Sequence, residues 1–368
     1  MNAPAPSTSN AELMTASARL AHDPHNSACW PIGADEFVTP VERFFIRSHA
    51  PVPAVDPSTW RLEIGGLVER PQSFALEELA RGFPRQEVEA TLVCAGLRRD
   101  EFLELGPLPG ELPWGPEPAS TGRWTGLPLR GVLEAAGVRA DARYVEFTGL
   151  DRVERGGEQF GFGGSIELDK AMSPDVLLAT GLNGAPLTAE HGFPLRSLVP
   201  GWIGARSVKW LARISLTAEP SRNYFQSRAY RFQRERNPDD RRDVTSGVAL
   251  SEVPLNAVIV TPVRGQVIAA GPTCVRGWAM GGAGRPLTSV EVSADGGERW
   301  VAGRVTERRA AWTWAFWEAT VDLPPGRHVL VARAADRAGA TQPDSLRATW
   351  NVKGYNNNAW HRVTVQVE

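Results

Sequence analysis

Cysteine is scarce: three in 368 residues, at positions 29, 94 and 274. An odd, widely spaced set does not make a disulfide framework, and with no CxxC pair neither a structural zinc site nor a covalently attached c-type haem is expected. Charge of one sign is lacking too. The 40 Lys and Arg against 42 Asp and Glu leave a net −2, which excludes the basic footprint of a general nucleic-acid or membrane-surface binder. No apolar run reaches the roughly 20 residues of a bilayer-crossing helix. The stretch Met1 to Ser27, rich in Ala, Ser, Pro and Asn, has neither a long apolar core nor twin arginines. It reads as a disordered or surface-hugging arm. The expected location is therefore cytoplasmic, or periplasmic had a leader been removed. Tyrosine numbers only 4 beside 13 tryptophans, an imbalance that assigns no function. With 42% hydrophobic and 22% charged residues, the composition is that of a soluble globular protein, too long for one ordinary core.

What is present is organised around Cys94. In Glu87-Val88-Glu89-Ala90-Thr91-Leu92-Val93-Cys94, a period of two puts Val88, Ala90, Leu92 and Cys94 on one face, as in a buried strand. Ala95-Gly96 turns the chain, and Leu97-Arg98-Arg99 follows. Free cysteine is most often a small buried hydrophobe. Two arginines beside it favour a functional thiolate, the form that binds soft metals or attacks electrophiles.

Upstream, Arg47 and His49 sit two apart and face one way if the segment is extended. Trp60 to Val68 reads as a strand and Leu76 to Leu79 as a short helix. The Pro/Gly-rich segment Gly106 to Gly122, carrying Trp114, is long enough to suggest a working loop. Leu129, Val132, Leu133 and Ala136 keep helical spacing, with Gly137 placed to end the helix. Tyr144 to Phe147 reads as a strand, and Asn183-Gly184 as a tight turn. His191-Gly192-Phe193-Pro194-Leu195-Arg196 and Gly204-Ala205-Arg206-Ser207-Val208-Lys209-Trp210 mix glycine and proline with basic residues. That composition suits backbone brought close to an anion, although a basic surface loop would look the same. Arg228 to Arg242 is dense in charge and reads as a linker. From about Ser251, short strands with turns at Asp295-Gly296-Gly297 and Pro324-Pro325-Gly326 point to a β-sandwich of immunoglobulin type.

Six stretches resemble the sulfite oxidase family of molybdopterin oxidoreductases, in the same order from about Val41 to the C-terminus. They are Phe44-Phe45-Ile46-Arg47-Ser48-His49, the Cys94 segment, Phe147-Thr148-Gly149-Leu150-Asp151, His191 to Pro194, Gly204 to Trp210, and Asn358-Ala359-Trp360-His361-Arg362-Val363. The resemblance implies an α+β molybdopterin-binding domain over 41–245 and an all-β immunoglobulin-like dimerisation domain over 246–368, after an arm over 1–40. It implies that Cys94 is the protein ligand of molybdenum. Phe45, Ile46, Arg47, Ser48, His49, Asp151, His191, Arg196, Ser207, Val208 and Lys209 would hold the pyranopterin and its phosphate. Arg47, Arg99, Trp114 and Lys353 would form an oxyanion pocket. The family's pocket tyrosine, expected shortly before Asn183-Gly184, appears as Thr180.

The implied activity is oxygen-atom transfer that oxidises sulfite to sulfate. Electrons would pass to a separate acceptor such as a cytochrome c or a small molecule, with no haem in this chain. A nitrate-reductase-type oxotransferase, or another small sulfur or nitrogen oxyanion, is the alternative. A non-catalytic interaction protein built on the C-terminal sandwich is a third reading, but it does not account for Cys94, His191 and Arg196. A homodimer is expected, and neither nucleic acid nor membrane is an expected partner.

Overall fold

The computed structural model describes residues 18–23, 25–33, 36–234 and 246–368. Two sheets build the first domain. One orders Gly163–Glu167, Tyr144–Gly149, Leu211–Thr217, Arg61–Gly66 and Gln72–Ala75. Its pairings are antiparallel except that between Leu211–Thr217 and Arg61–Gly66. The other is an antiparallel run of Ala185–Pro186, Leu177–Leu182, Ala119–Pro128 and Gln86–Val93, with Arg196–Leu198 also on Leu177–Leu182. The helix Leu129–Ala136 buries the four apolar residues its spacing marks, and Gly137 ends it at φ 74°, a conformation that glycine adopts without strain.

The second domain is a β-sandwich. A four-stranded sheet (Asn256–Thr261, Gly271–Met280, Ala315–Leu323, Arg304–Arg308) faces a five-stranded one (Val267–Ile268, His361–Val367, Gly326–Asp336, Leu287–Ser293, Val301–Ala302). Alternation along each strand sends Ile259, Val275, Val292, Trp317, Leu330 and Val365 into the core between them. Another core joins the two domains, with Val93, Ala95 and Leu97 packing in one cluster with Trp278, Trp314 and Tyr355.

Part of the expected arm is built into the fold. Ala18–Asp23 pairs with Asn26–Trp30 in a hairpin, and Ser27 exchanges backbone hydrogen bonds with Ile46. Residues 1–17 lie outside the described residues. The hairpin is hard to read because Asn26 and Ala28, its buried positions at 3% and 0% exposure, carry no hydrophobic signal. The expected linker is also partly built into the fold. Phe225–Ala229 forms a π-helical turn, and Arg231–Phe232 pairs with Val248–Ala249. Residues 235–242 of that stretch lie outside the described residues. No helix among the described residues is long and apolar enough to cross a membrane.

Candidate active site

The strand Gln86–Val93 ends one residue before Cys94, whose sulfur accepts from the Gly96 N–H at 3.4 Å. Cys94 borders a cavity of about 700 Å³, its open mouth included. Around the same cavity stand Phe45, Arg47, Ser48, His49, Asp151, His191, Arg196, Ser207 and Lys209. Residues as far apart in sequence as Phe45 and Lys209 thus converge. Ile46 and Val208 flank the wall without lining it. Ile46 is tied to the Ser27 hairpin, and Val208 is buried in the core of the first domain.

Local geometry holds the polar wall rigidly. Arg47 donates to Asn26 Oδ1 (3.0 Å) and to His49 Nδ1 (3.3 Å), consistent with an Arg-x-His pair on one face. The Ser48 N–H also binds Asn26 Oδ1, at 2.9 Å, so the overlooked hairpin supports the first motif. Lys209 donates to Ser48 Oγ (2.6 Å) and to the Glu190 carbonyl (2.9 Å). Arg196 donates to the carbonyls of His191 (3.0 Å) and Ser207 (2.9 Å). Gly192, at φ +104°, lets these cations converge, since a Cβ there would meet Lys209 Cα at 3.1 Å and Arg196 Cβ at 3.2 Å.

The electrostatics share one sign. Burial, then the neighbouring Arg196 and Lys209 charges, pushes His191 down to about 3. Burial pushes Arg196 down to about 9. His49 and Lys209 are held well below their ordinary values, again by burial first and by neighbouring cations second. Burial raises Asp151, although its carboxylate accepts the Phe162 N–H at 2.9 Å. Among the described residues Arg47, Arg196 and Lys209 have no carboxylate in ion-pair contact. The cavity lining therefore carries more cations than carboxylates, although Asp151 and Glu190 also stand on it.

Several expected site residues do not line this cavity. Arg98 adopts φ 58°, and its guanidinium turns away from Cys94 into Glu101, at 2.7 and 2.8 Å, and toward the second domain. Arg99 donates to the Leu112 carbonyl at 2.9 Å and pairs with Glu111. Neither arginine makes a hydrogen bond to the sulfur. Trp114 is fully buried behind the Cys94 turn, edge-on to His22 at 4.2 Å. Lys353 pairs with Glu111 at 3.0 Å. Thr180 is not at the cavity; it borders a separate groove with Thr125 and Phe193.

The cavity does hold a phenol, from Tyr230. Its hydroxyl lies 2.9 Å from His49 Nε2, and its ring stacks on Tyr355, with centroids 5.1 Å apart. Sequence reading missed it because Tyr230 falls inside the charged stretch taken for a linker. With only four tyrosines in the chain, Ala229-Tyr230 followed by a strand-like Arg231-Phe232 was the available signal.

The donor set fits a thiolate-ligated metal carried by an anionic organic group. Buried Arg196 Nε has no hydrogen-bond partner among the described residues. No cluster of three or more His, Cys, Asp or Glu among the described residues could hold a metal unaided. A lone cysteine suits a metal that brings its other ligands with it.

Residues 49–225 match the oxidoreductase molybdopterin binding domain, and residues 248–368 the Mo-co oxidoreductase dimerisation domain. Sulfite oxidase of Gallus gallus is 41% identical over 339 residues, covering 89% of this chain and 73% of that protein. The chain belongs to the sulfite oxidase family. Within it, the NADH nitrate reductase of Solanum lycopersicum is 37% identical over 359 residues, covering 90% of this chain and 38% of that one. The crystal structure of the sulfane dehydrogenase SoxCD from Paracoccus pantotrophus superposes with a TM-score of 0.76 at 28% identity, over 95% of this chain and 88% of that one. This member of the sulfite oxidase family is a molybdenum-cofactor oxidoreductase, and most of the residues expected to hold its cofactor meet at the cavity beside Cys94.

Proposed function

We propose that the chain oxidises sulfite to sulfate, with water as the oxygen source and two electrons passed to a separate acceptor. One observation carries this reading: the Cys94 thiol opens into a cavity walled by the cations Arg47, Arg196 and Lys209, which outnumber the Asp151 and Glu190 carboxylates beside them. Cys94 would ligate molybdenum. Asp151, His191, Arg196, Ser207 and Lys209 would hold the pterin and its phosphate, because charge-assisted donors suit phosphate oxygens. When bound, the cofactor supplies two-electron oxygen-atom-transfer chemistry. The protein's own part is positional and electrostatic. Phe44 and Phe45, stacked at 5.8 Å, shield the sulfur side from water. Arg47, on the cavity wall, supplies a fork for an oxyanion, and Tyr230 supplies a hydroxyl. The sandwich over 248–368 would join two copies as a homodimer.

Molybdenum analysis on protein from a cofactor-competent host, with sulfite-dependent ferricyanide reduction, tests the reading. Dye-driven nitrate reduction is the comparison. Metal-loaded protein inert to sulfite but active on nitrate would transfer the site to nitrate. Cys94→Ser should keep its fold and abolish turnover, since a hydroxyl does not replace a soft thiolate. Light scattering reads the dimer.

A further inference from the structure

The expected oxyanion pocket contains a negative charge that its motif residues do not announce. Glu111 Oε1 lies 3.0 Å from Lys353 Nζ, and Glu111 Oε2 lies 3.4 Å from Arg99 Nη2. The Arg99–Glu111 pair is buried, its side chains 4% and 13% exposed, while Lys353 reaches it from a half-buried position. The cluster does not line the Cys94 cavity but reaches it through two aromatic rings. The Arg99 guanidinium caps the Tyr355 ring at 4.9 Å, Tyr355 stacks on Tyr230, and Tyr230 lines the cavity with Cys94. The carboxylate is also held in place. Glu111 follows Gly110, which sits at φ 78°, and its N–H donates to the Leu108 carbonyl at 3.3 Å. The next residue, Leu112, offers its carbonyl to Arg99 Nη1 at 2.9 Å. The Pro/Gly-rich loop thus grips Arg99 by a backbone oxygen and a carboxylate together.

Two cations sharing one carboxylate leave a single net positive charge. Near neutral pH sulfite is a mixture of monoanion and dianion, whereas sulfate is fully dianionic. A doubly positive pocket would hold the product harder than the substrate; a singly positive one narrows that gap. We propose that Glu111 is a specificity-determining residue that sets the net charge of the Arg99–Lys353 pocket and so weakens its hold on tetrahedral dianions, sulfate first among them. This deepens the proposed function and rests on that reading, with Arg99 and Lys353 in the oxyanion pocket that the family resemblance implies.

The test is sulfate binding by calorimetry on purified holoenzyme at low ionic strength, with sulfite KM and kcat measured alongside. Glu111→Gln should bind sulfate about ten-fold more tightly or better and lower the sulfite KM without raising kcat. Lys353→Gln should weaken sulfate binding. The double variant Glu111→Gln/Lys353→Gln restores the net charge and should return to within about three-fold of the unmodified protein, the usual spread of such additivity. Added salt should shrink all these differences. A carboxylate that merely braced the loop would give the opposite sign, with weaker binding and a lower melting temperature in Glu111→Gln. Unchanged or weaker sulfate affinity in both Glu111→Gln and Glu111→Ala overturns the proposal. Binding needs no turnover, so a protein inert to sulfite whose sulfate affinity still follows Glu111 overturns only the substrate assignment.

Discussion

The Tyr230 hydroxyl and His49 Nε2 lie 2.9 Å apart, and the direction of their hydrogen bond is set from the far side of the ring. Arg47, which can only donate, contacts His49 Nδ1 at 3.3 Å. Burial holds the imidazole well below its ordinary pKa, hence neutral. A neutral ring that accepts at Nδ1 carries its proton on Nε2, an assignment made from the network. His49 therefore donates to the phenol oxygen, leaving the Tyr230 O–H free to donate into the cavity. Burial also pushes the phenol up to about 12, so that proton stays in place at working pH. Tyr230→Phe should lower kcat/KM for the oxyanion about 100-fold, as losing one preorganised donor does elsewhere, with molybdenum content unchanged. Full activity in Tyr230→Phe would remove the phenol from the reaction.

Arg98 is a fastener between the domains. It is wholly buried and forked onto Glu101, and it donates at 2.8 Å to both Asn256 Oδ1 and the Ala359 carbonyl of the second domain. Asn357 closes the network on the Arg98 carbonyl and Glu101, at 2.9 and 3.0 Å. Removing one partner strands the other charge, so Arg98→Met should lose about 3–5 kcal/mol. Arg98→Met/Glu101→Leu should recover part of that loss. A denaturant-unfolding cycle over the four proteins measures the coupling, and purely additive losses would contradict it.

Periodicity carried the Cys94 strand, the Leu129–Ala136 helix and the sandwich, because each buries one regularly spaced face. The family resemblance, carried across motif by motif, marked most of the residues that line the cavity, from Phe45 to Lys209. What escaped was determined by partners distant in sequence. Arg98 and Arg99 sit beside Cys94 in the chain, yet a left-handed residue turns the first toward Glu101, and Glu111 claims the second. The Asn26 hairpin has no hydrophobic pattern. Tyr230 is hidden in a run of charge and becomes a site residue only because His49, 181 positions away, meets it. Motif spacing carries no information about counter-ions, which is why Glu111 was invisible beside Arg99.

His361 gives the protein a defined acid sensitivity. Its Nδ1 accepts the Ile259 N–H at 2.9 Å. Burial first, then the Arg98 charge, keeps it well below the ordinary 6.5. The unfolded chain protonates near 6.5 and the folded one does not, so below that pH the unfolded state binds the extra proton. Stability from this group is complete above about 6.5 and falls by about 1.4 kcal/mol per pH unit below it. Asp100, pushed up to about 6 by burial and by Glu101, acts with the opposite sign between about 4 and 6. Comparison with His361→Asn isolates the histidine, since an amide oxygen can still accept from Ile259. The variant's unfolding free energy should be flatter between pH 6.5 and 4.5; an identical slope would assign the acid sensitivity elsewhere.

Arg196 separates cofactor retention from folding. In the protein alone its positive charge is buried against the Trp124 ring at 5.0 Å, satisfied by two carbonyls but by no anion, and its Nε has no hydrogen-bond partner among the described residues. Such a charge burdens the cofactor-free fold, and a bound phosphate relieves it. Arg196→Gln should therefore act in opposite directions on the two forms. Losing a charge-assisted contact worth about 1.5–3 kcal/mol should cut cofactor affinity about 10- to 100-fold. Protein from a cofactor-deficient host should melt no lower than its unmodified counterpart, because the amide still donates to one carbonyl without a buried charge. The gap in melting temperature between cofactor-loaded and cofactor-free protein should shrink. Metal analysis with paired melts reads both effects, and full molybdenum content with an equal fall in both melting temperatures would make Arg196 a packing residue instead.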